Sequence, residues 1–127
     1  MSTKYILLKD LEVYNLAREL SVIAWEIYSK LDWETKKING FQFVSSVDSI
    51  GANIAEGYSR FHYLDRIKFY YNSRGSFSEA NEHWIELLME RRKVIEKDYK
   101  RFKSVAIKFS IKLNNFISST YKSKFSQ

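Results

Sequence analysis

The stretch "SVDSIGANIAEGYSR", residues 46–60, decides the fold. Val47, Ile50, Ile54 and Tyr58 recur every three or four residues, the period of a helix with one buried face. A second line of the same period runs beside it: Ser46, Ser49, Asn53, Glu56 and Arg60. The first line requires a core. The second requires something that can lie against polar groups.

The pattern extends in both directions. Upstream, Phe43 continues the apolar line, and "NGFQ" sets Asn39 three residues before Gln42, a capping-box signature, so this helix is read over about 40–59. Before it, Val13, Leu16, Ala17, Leu20, Ala24, Ile27 and Leu31 predict a helix over about 10–31 with Asp10 as N-cap, and "DWETKKI" reads as the connection. Downstream, "SRFHYLD" reads as a turn, and Asp65 caps a helix over about 65–92 carrying Ile67, Tyr70, Tyr71, Phe77, Trp84, Leu87 and Leu88. "KVIEKD" then leads to Asp98, the cap of a last helix over about 98–121 that points Phe102, Val105, Ala106, Phe109, Leu113, Phe116 and Ile117 inward. The tail "SSTYKSKFSQ" is expected to fray.

Helices of this length are some 30–45 Å long at about 1.5 Å per residue, and short connections make neighbours antiparallel. The expected fold is all-α: an up-down-up-down four-helix bundle occupying residues 1–127 as one domain. Composition agrees, since proline is absent and the only glycines are Gly40, Gly51, Gly57 and Gly75, leaving little to punctuate strands. The absence of cysteine excludes disulfides, thiol catalysis and cysteine-ligated zinc. With neither a long apolar run nor a leader pattern, the chain is expected to be cytoplasmic, without membrane partners.

Charge is unevenly placed. Residues 1–90 hold 10 basic and 13 acidic side chains, a net of −3, whereas residues 91–124 hold 11 and 2, a net of +9. "ERRKV" contributes Arg91 and Arg92. On the last helix Lys97, Arg101, Ser104, Lys108 and Lys112 follow steps of four, three, four and four and form one row, roughly 22 Å long, which Lys100 and Lys103 widen. Two readings stand: a solvated outer face, or a track for the phosphates of RNA or DNA, bound without sequence preference. Aromatic residues make up 17% of the chain, mostly on apolar stripes, with Tyr70 and Tyr71 assigned to an interface.

Chemistry of other kinds lacks its residues. A di-iron bundle needs Glu-x-x-His on separate helices, yet Ser59 stands three residues before His62 and Ala80 three before His83. No Gly-x-Ser-x-Gly elbow or phosphate-binding loop occurs, and Arg74 and His83 are too far apart for the Arg-x4–6-His of HEPN-type nucleases. The chain is expected to be non-enzymatic, with no metal or cofactor.

"SIGANIAEGYSR" followed by "SRGSFSE" resembles the 23S rRNA intervening-sequence protein family of four-helix-bundle proteins. The matching positions are Gln42, Ser49, Ile50, Asn53, Ile54, Ala55, Glu56, Gly57, Gly75, Ser76 and Glu79. The chain departs from the family pattern at Ser45, Ser46, Ala80 and His83. The resemblance implies a ring-like homo-oligomer, a pentamer. It also implies kinship with the accessory proteins of diversity-generating retroelements, basic pentamers that bind nucleic acid and a reverse transcriptase. On this view the polar stripe of Ser49, Asn53 and Glu56, with Gly75, Ser76 and Glu79, is a second packing surface between subunits. Gly57 and Gly75 then mark close helix approach, with Ser76 and Asn53 bonded across it. The alternative is a polar network inside one chain that sets register. The functional expectation is an oligomer that binds RNA or DNA through its basic C-terminal part; the alternative is a scaffold that only contacts proteins.

Overall fold

A computed structural model describes residues 5–123. Helix α1 is Glu12–Ser29, preceded by a 3-10 turn at Leu8–Asp10. Helix α2 covers 33–58 in three segments, Trp33–Thr35, a π-helical turn Lys36–Gly40 and Phe41–Tyr58. Helix α3 covers 63–90 as Tyr63–Ser78, a π-helical turn Glu79–Trp84 and Ile85–Glu90. Helix α4 is Glu96–Lys122. These four helices form a bundle in which α1 lies against α2 and α4, and α3 lies against the same two. The described residues include no strand.

The apolar stripes meet in one core. Leu20, Ile23, Phe43, Val47, Ile50, Ile54, Phe102, Phe109 and Leu113 are fully buried within it. Ring pairs join the helices: Phe43 with Phe102 at 5.5 Å, Phe77 with Phe109 at 5.0 Å and Tyr70 with Phe116 at 4.8 Å between centroids. A polar contact between helices also enters this core: the Ser73 hydroxyl donates to the Ile50 carbonyl across the α2–α3 contact, 2.8 Å away. Tyr70, expected at an interface, is 1% exposed and belongs to the core. A large ring on an inward position is worth more buried than offered to solvent.

Helix starts differ from the expected ones for a common reason. An N-cap is set by an extended backbone before the first turn, and an acidic side chain nearby is only one way to occupy it. Leu11, Asp32, His62 and Ile95 are the N-cap residues. Asp10 closes the preceding 3-10 turn instead. The Asp32 carboxylate accepts from the Thr35 N–H at 2.8 Å and from the Thr35 hydroxyl at 3.0 Å, so α2 begins well before Asn39. His62 accepts from the Leu64 N–H at 3.2 Å through Nδ1, which leaves Asp65 in the first turn of α3. Asp98 lies inside α4, where its carboxylate pairs with Lys30 at 2.9 Å.

The π-helical turns explain what the periodicity hid. Each inserts an i→i+5 turn that shifts the phase of the side chains following it. Residues 33–40 therefore look aperiodic although they are helical, and Ile85, out of step with Phe77, is nonetheless fully buried. At the other boundary, residues 118–122 continue α4 where fraying was expected; the last four residues of that tail lie outside the described range.

Helix α3 ends on Arg92, whose φ of 58° is left-handed. The N–H of Arg92 donates to Met89 O at 3.0 Å and that of Lys93 to Leu88 O at 2.9 Å. This is a Schellman closure carried out without glycine. Ahead of α1, the Tyr58 hydroxyl donates to Ile6 O at 2.5 Å and the Tyr5 ring stacks on Tyr58 at 5.6 Å.

Candidate nucleic-acid interface

The cations of the expected basic face divide into two groups. Lys112 pairs with Glu12 at 3.0 Å, and Arg101 pairs with Glu26. Both glutamates stand on α1, which α4 packs against, so part of the row faces a neighbour that already carries opposite charge. Lys100 pairs with Glu96 one turn back at 3.0 Å. Lys103 is the most enclosed: it meets Glu86 at 2.7 Å, donates to Asn81 O at 2.5 Å and lies over the Tyr99 ring at 5.5 Å. Burial opposes ionisation of Glu86, but Lys103 and the Tyr99 hydroxyl outweigh it and hold the carboxyl below its ordinary value. Arg91, Arg92, Lys97 and Lys108 are exposed and have no ion-pair partner among the described residues.

Arg91 sits where the α3–α4 connection meets the start of α2, with Arg92 next to it in that connection. Lys93 joins connection and helix by reaching Asp32 at 3.1 Å. The Thr35 N–H, then Lys93 and the Thr35 hydroxyl, hold the Asp32 carboxyl at about 2. Beside this junction lies a cleft of about 530 Å³ lined by Asp32, Glu34, Thr35, Ile38, Asn39, Arg91 and Lys93. Asn39, expected as a cap, is 2% exposed, and neither its amide oxygen nor its amide nitrogen has a hydrogen-bond partner among the described residues.

Along the outer side of α1 and α2 runs a second depression, about 470 Å³, lined by Tyr28, Trp33, Lys36, Lys37 and Phe41. Trp33 is 74% exposed and Phe41 63%. Reading "DWETKKI" as a connection concealed these groups. The available signal was that Trp33, Ile38 and Phe41 fall off the inward stripe, which in a helix places large apolar side chains outside.

The polar stripe on α2 is satisfied mostly by its own helix. Ser46 donates to Phe43 O at 2.9 Å, Ser49 to Ser45 O at 2.9 Å and the Asn53 amide to Ser49 O at 2.9 Å, while Glu56 pairs with Arg60 at 2.5 Å. The Asn53 amide thus turns to its own backbone and not to Ser76. Glu79 accepts from the Trp84 indole N–H at 2.7 Å, and Gln42 is exposed. The two motif glycines part company. A Cβ on Gly57 would lie 2.7 Å from Tyr70 Cε1 and 2.8 Å from Phe69 Cβ, so α2 and α3 approach closely there. A Cβ on Gly75 would meet nothing within 4 Å, so the close approach expected at that position is not made within the chain.

Among the described residues no group of three or more His, Asp or Glu side chains comes together as a metal site. No described helix is long and apolar enough to cross a membrane. His83 is exposed and stands edge-on to Trp84 at 4.6 Å between centroids.

Comparison with known proteins gives the lineage. The 23S rRNA-intervening sequence protein family profile matches residues 9–115. A solved structure from Bacteroides thetaiotaomicron, a protein of unknown function from the S23 ribosomal protein family, is similar in fold: its TM-score is 0.74 at 21% identity, covering 83% of this chain and 97% of that one. No functionally curated protein matches the sequence. The profile spans the core stripes, the α2 and α3 motifs and most of α4, and on that ground the chain belongs to the 23S rRNA-intervening sequence protein family.

Proposed function

We propose that this protein is a non-enzymatic, homo-oligomeric bundle that binds RNA or DNA without sequence selectivity, using the unpaired cations of its C-terminal part. The single observation that carries the reading is the division among the basic side chains. Arg91, Arg92, Lys97 and Lys108 are exposed with no carboxylate partner among the described residues, whereas Lys100, Arg101, Lys103 and Lys112 are matched to glutamates. The four unmatched cations can meet an external anion without first giving up an internal partner. Helices in antiparallel up-down-up-down order fit the α1–α4 ion pairs, in which ascending positions on α1 meet descending positions on α4. Assembly as a ring, a pentamer, would repeat the free cations around an axis and raise avidity; Gly75, open within one chain, and the edge formed by half-buried Ser49 and Asn53 and exposed Glu56 are the surfaces assigned to that contact.

The test is a comparison of two charge reversals. Lys97→Glu with Lys108→Glu is expected to weaken binding of a labelled RNA and of a DNA duplex alike. It should also lower the log–log salt slope by about 0.7 per lost contact on single strands or about 0.9 on duplex. Lys100→Glu with Lys112→Glu, which removes cations already engaged, is expected to change the slope less. Equal binding by the parent and the first double variant, both folded, would leave the scaffold reading in its place.

A further inference from the structure

We infer that the groove between α1 and α2 is a stacking platform for unpaired nucleobases, so that the protein prefers single-stranded to duplex nucleic acid. The inference rests on the nucleic-acid reading above and adds to it a location and a strand preference.

The groove has the two ingredients of single-strand binding, aromatic faces and positive charge. Trp33 and Phe41 stand eight residues apart on α2, roughly 10–12 Å along its axis, too far for one ring-on-ring step, so each ring meets a different base. Tyr28 lies between α1 and α2 and is held by Trp25, stacked on it at 5.3 Å with planes 23° apart. An ammonium accompanies each of two rings: Lys36 Nζ is 5.3 Å from the Tyr28 centroid and Lys37 Nζ 5.1 Å from that of Trp33. Among the described residues these lysines are the only charged side chains lining the groove. The carboxylates nearest in sequence are largely occupied, Glu26 by Arg101 and Asp32 by Lys93 and Thr35, with Glu34 left on the cleft side. The cleft that Arg91 lines is a separate depression formed by other residues of the same first turns of α2.

Charge decides between nucleic acid and a second copy of the chain. A second copy would have to cover Trp33 and Phe41 and at the same time set a carboxylate against both Lys36 and Lys37, or carry those ammoniums out of water unpaired, which is costly. A single strand brings a phosphate for each ammonium and a π-face for each ring. A duplex brings the phosphates but keeps its bases stacked inside.

The experiment uses the full chain with a labelled oligo(U) RNA and an RNA duplex of matched length, followed by anisotropy, intrinsic tryptophan fluorescence and light scattering. The single strand is expected to bind at least about tenfold tighter than the duplex at one salt concentration, and to quench tryptophan emission. Trp33→Ala with Phe41→Ala should weaken single-strand binding about tenfold or more and leave the salt slope unchanged, because no phosphate contact is lost. Trp33→Phe should keep most of the affinity while removing the Trp33 part of the quench. Equal affinity for the two probes, or an unaffected double alanine variant beside a parent that binds, overturns the platform and leaves nucleic-acid binding standing. A change of mass in the double variant identifies the groove as a subunit contact and also overturns it. No binding of either probe by the parent removes the functional reading and the platform with it.

Discussion

Asp32 shows how much one side chain can organise. It caps α2, receives the Thr35 hydroxyl and ties down the α3–α4 connection through Lys93. Its carboxyl lies below the ordinary value of 3.8, at about 2. The stability it contributes is therefore fully present above the ordinary value and is lost as pH falls through that window. Asp32→Asn is expected to lower Tm at neutral pH, with the gap from the parent closing as pH is reduced below about 4. Circular dichroism melts across that range give the answer, and a gap that persisted unchanged into strong acid would show that the charge is not its source. Asn39 is the complementary case. Asparagine with glutamine three residues on is a cap signature, but this side chain is enclosed and has no hydrogen-bond partner among the described residues. Local sequence identifies a residue able to cap; it does not show that the chain is already helical when it arrives there.

At the level of elements, α2 and α3 meet through Gly57, whereas Gly75 is exposed and a Cβ there would enter open space. Gly57→Ala would press a methyl group into Tyr70, Phe69 and the Arg66 carbonyl, the last at 3.1 Å. It is expected to destabilise by about 1–3 kcal/mol. Gly75→Ala meets open space and should gain about 0.8–1.0 kcal/mol of helix propensity. Denaturant titrations of the two variants give opposite shifts in midpoint; a loss at Gly75 accompanied by a change in mass would mean that a neighbouring subunit fills that space. The existence of each helix, its inward face and most of the core were legible from residue spacing, as the Val47–Ile50–Ile54 line shows. The starts were not, because Leu11 and Ile95 occupy N-cap positions by backbone geometry alone. Nor were the π-helical turns, since an added residue looks like lost periodicity. The site was legible by half: spacing put Lys97 and Lys112 in one row, but only the fold sets Glu12 against Lys112 and leaves Lys97 free.

For the whole molecule, the question is what an isolated bundle leaves exposed. Trp25, Trp33, Ile38 and Phe41 on one side and Ile107 and Ile111 on another are each more than half exposed, beside a net charge of +6. If the α2–α3 polar edge closes a ring, light scattering should return about five times the 15.2 kDa chain mass. Asn53→Leu or Glu79→Ala should then reduce that mass while helicity holds. A monodisperse 15.2 kDa species would confine the family motif to intrachain roles.

The left-handed Arg92 has a consequence for proteolysis. Three successive basic side chains, Arg91 to Lys93, stand exposed at a helix end, an address that trypsin reads readily in an unfolded chain. A protease must draw the backbone out straight to cut it, whereas here two closing hydrogen bonds and the Lys93–Asp32 pair hold it curled. Cleavage after Arg92 therefore follows how often the end of α3 opens and not the exposure of the arginines. A strand lying on those cations would slow the nick further, making the appearance of the 93–127 fragment a label-free clock for occupancy of that end of the bundle.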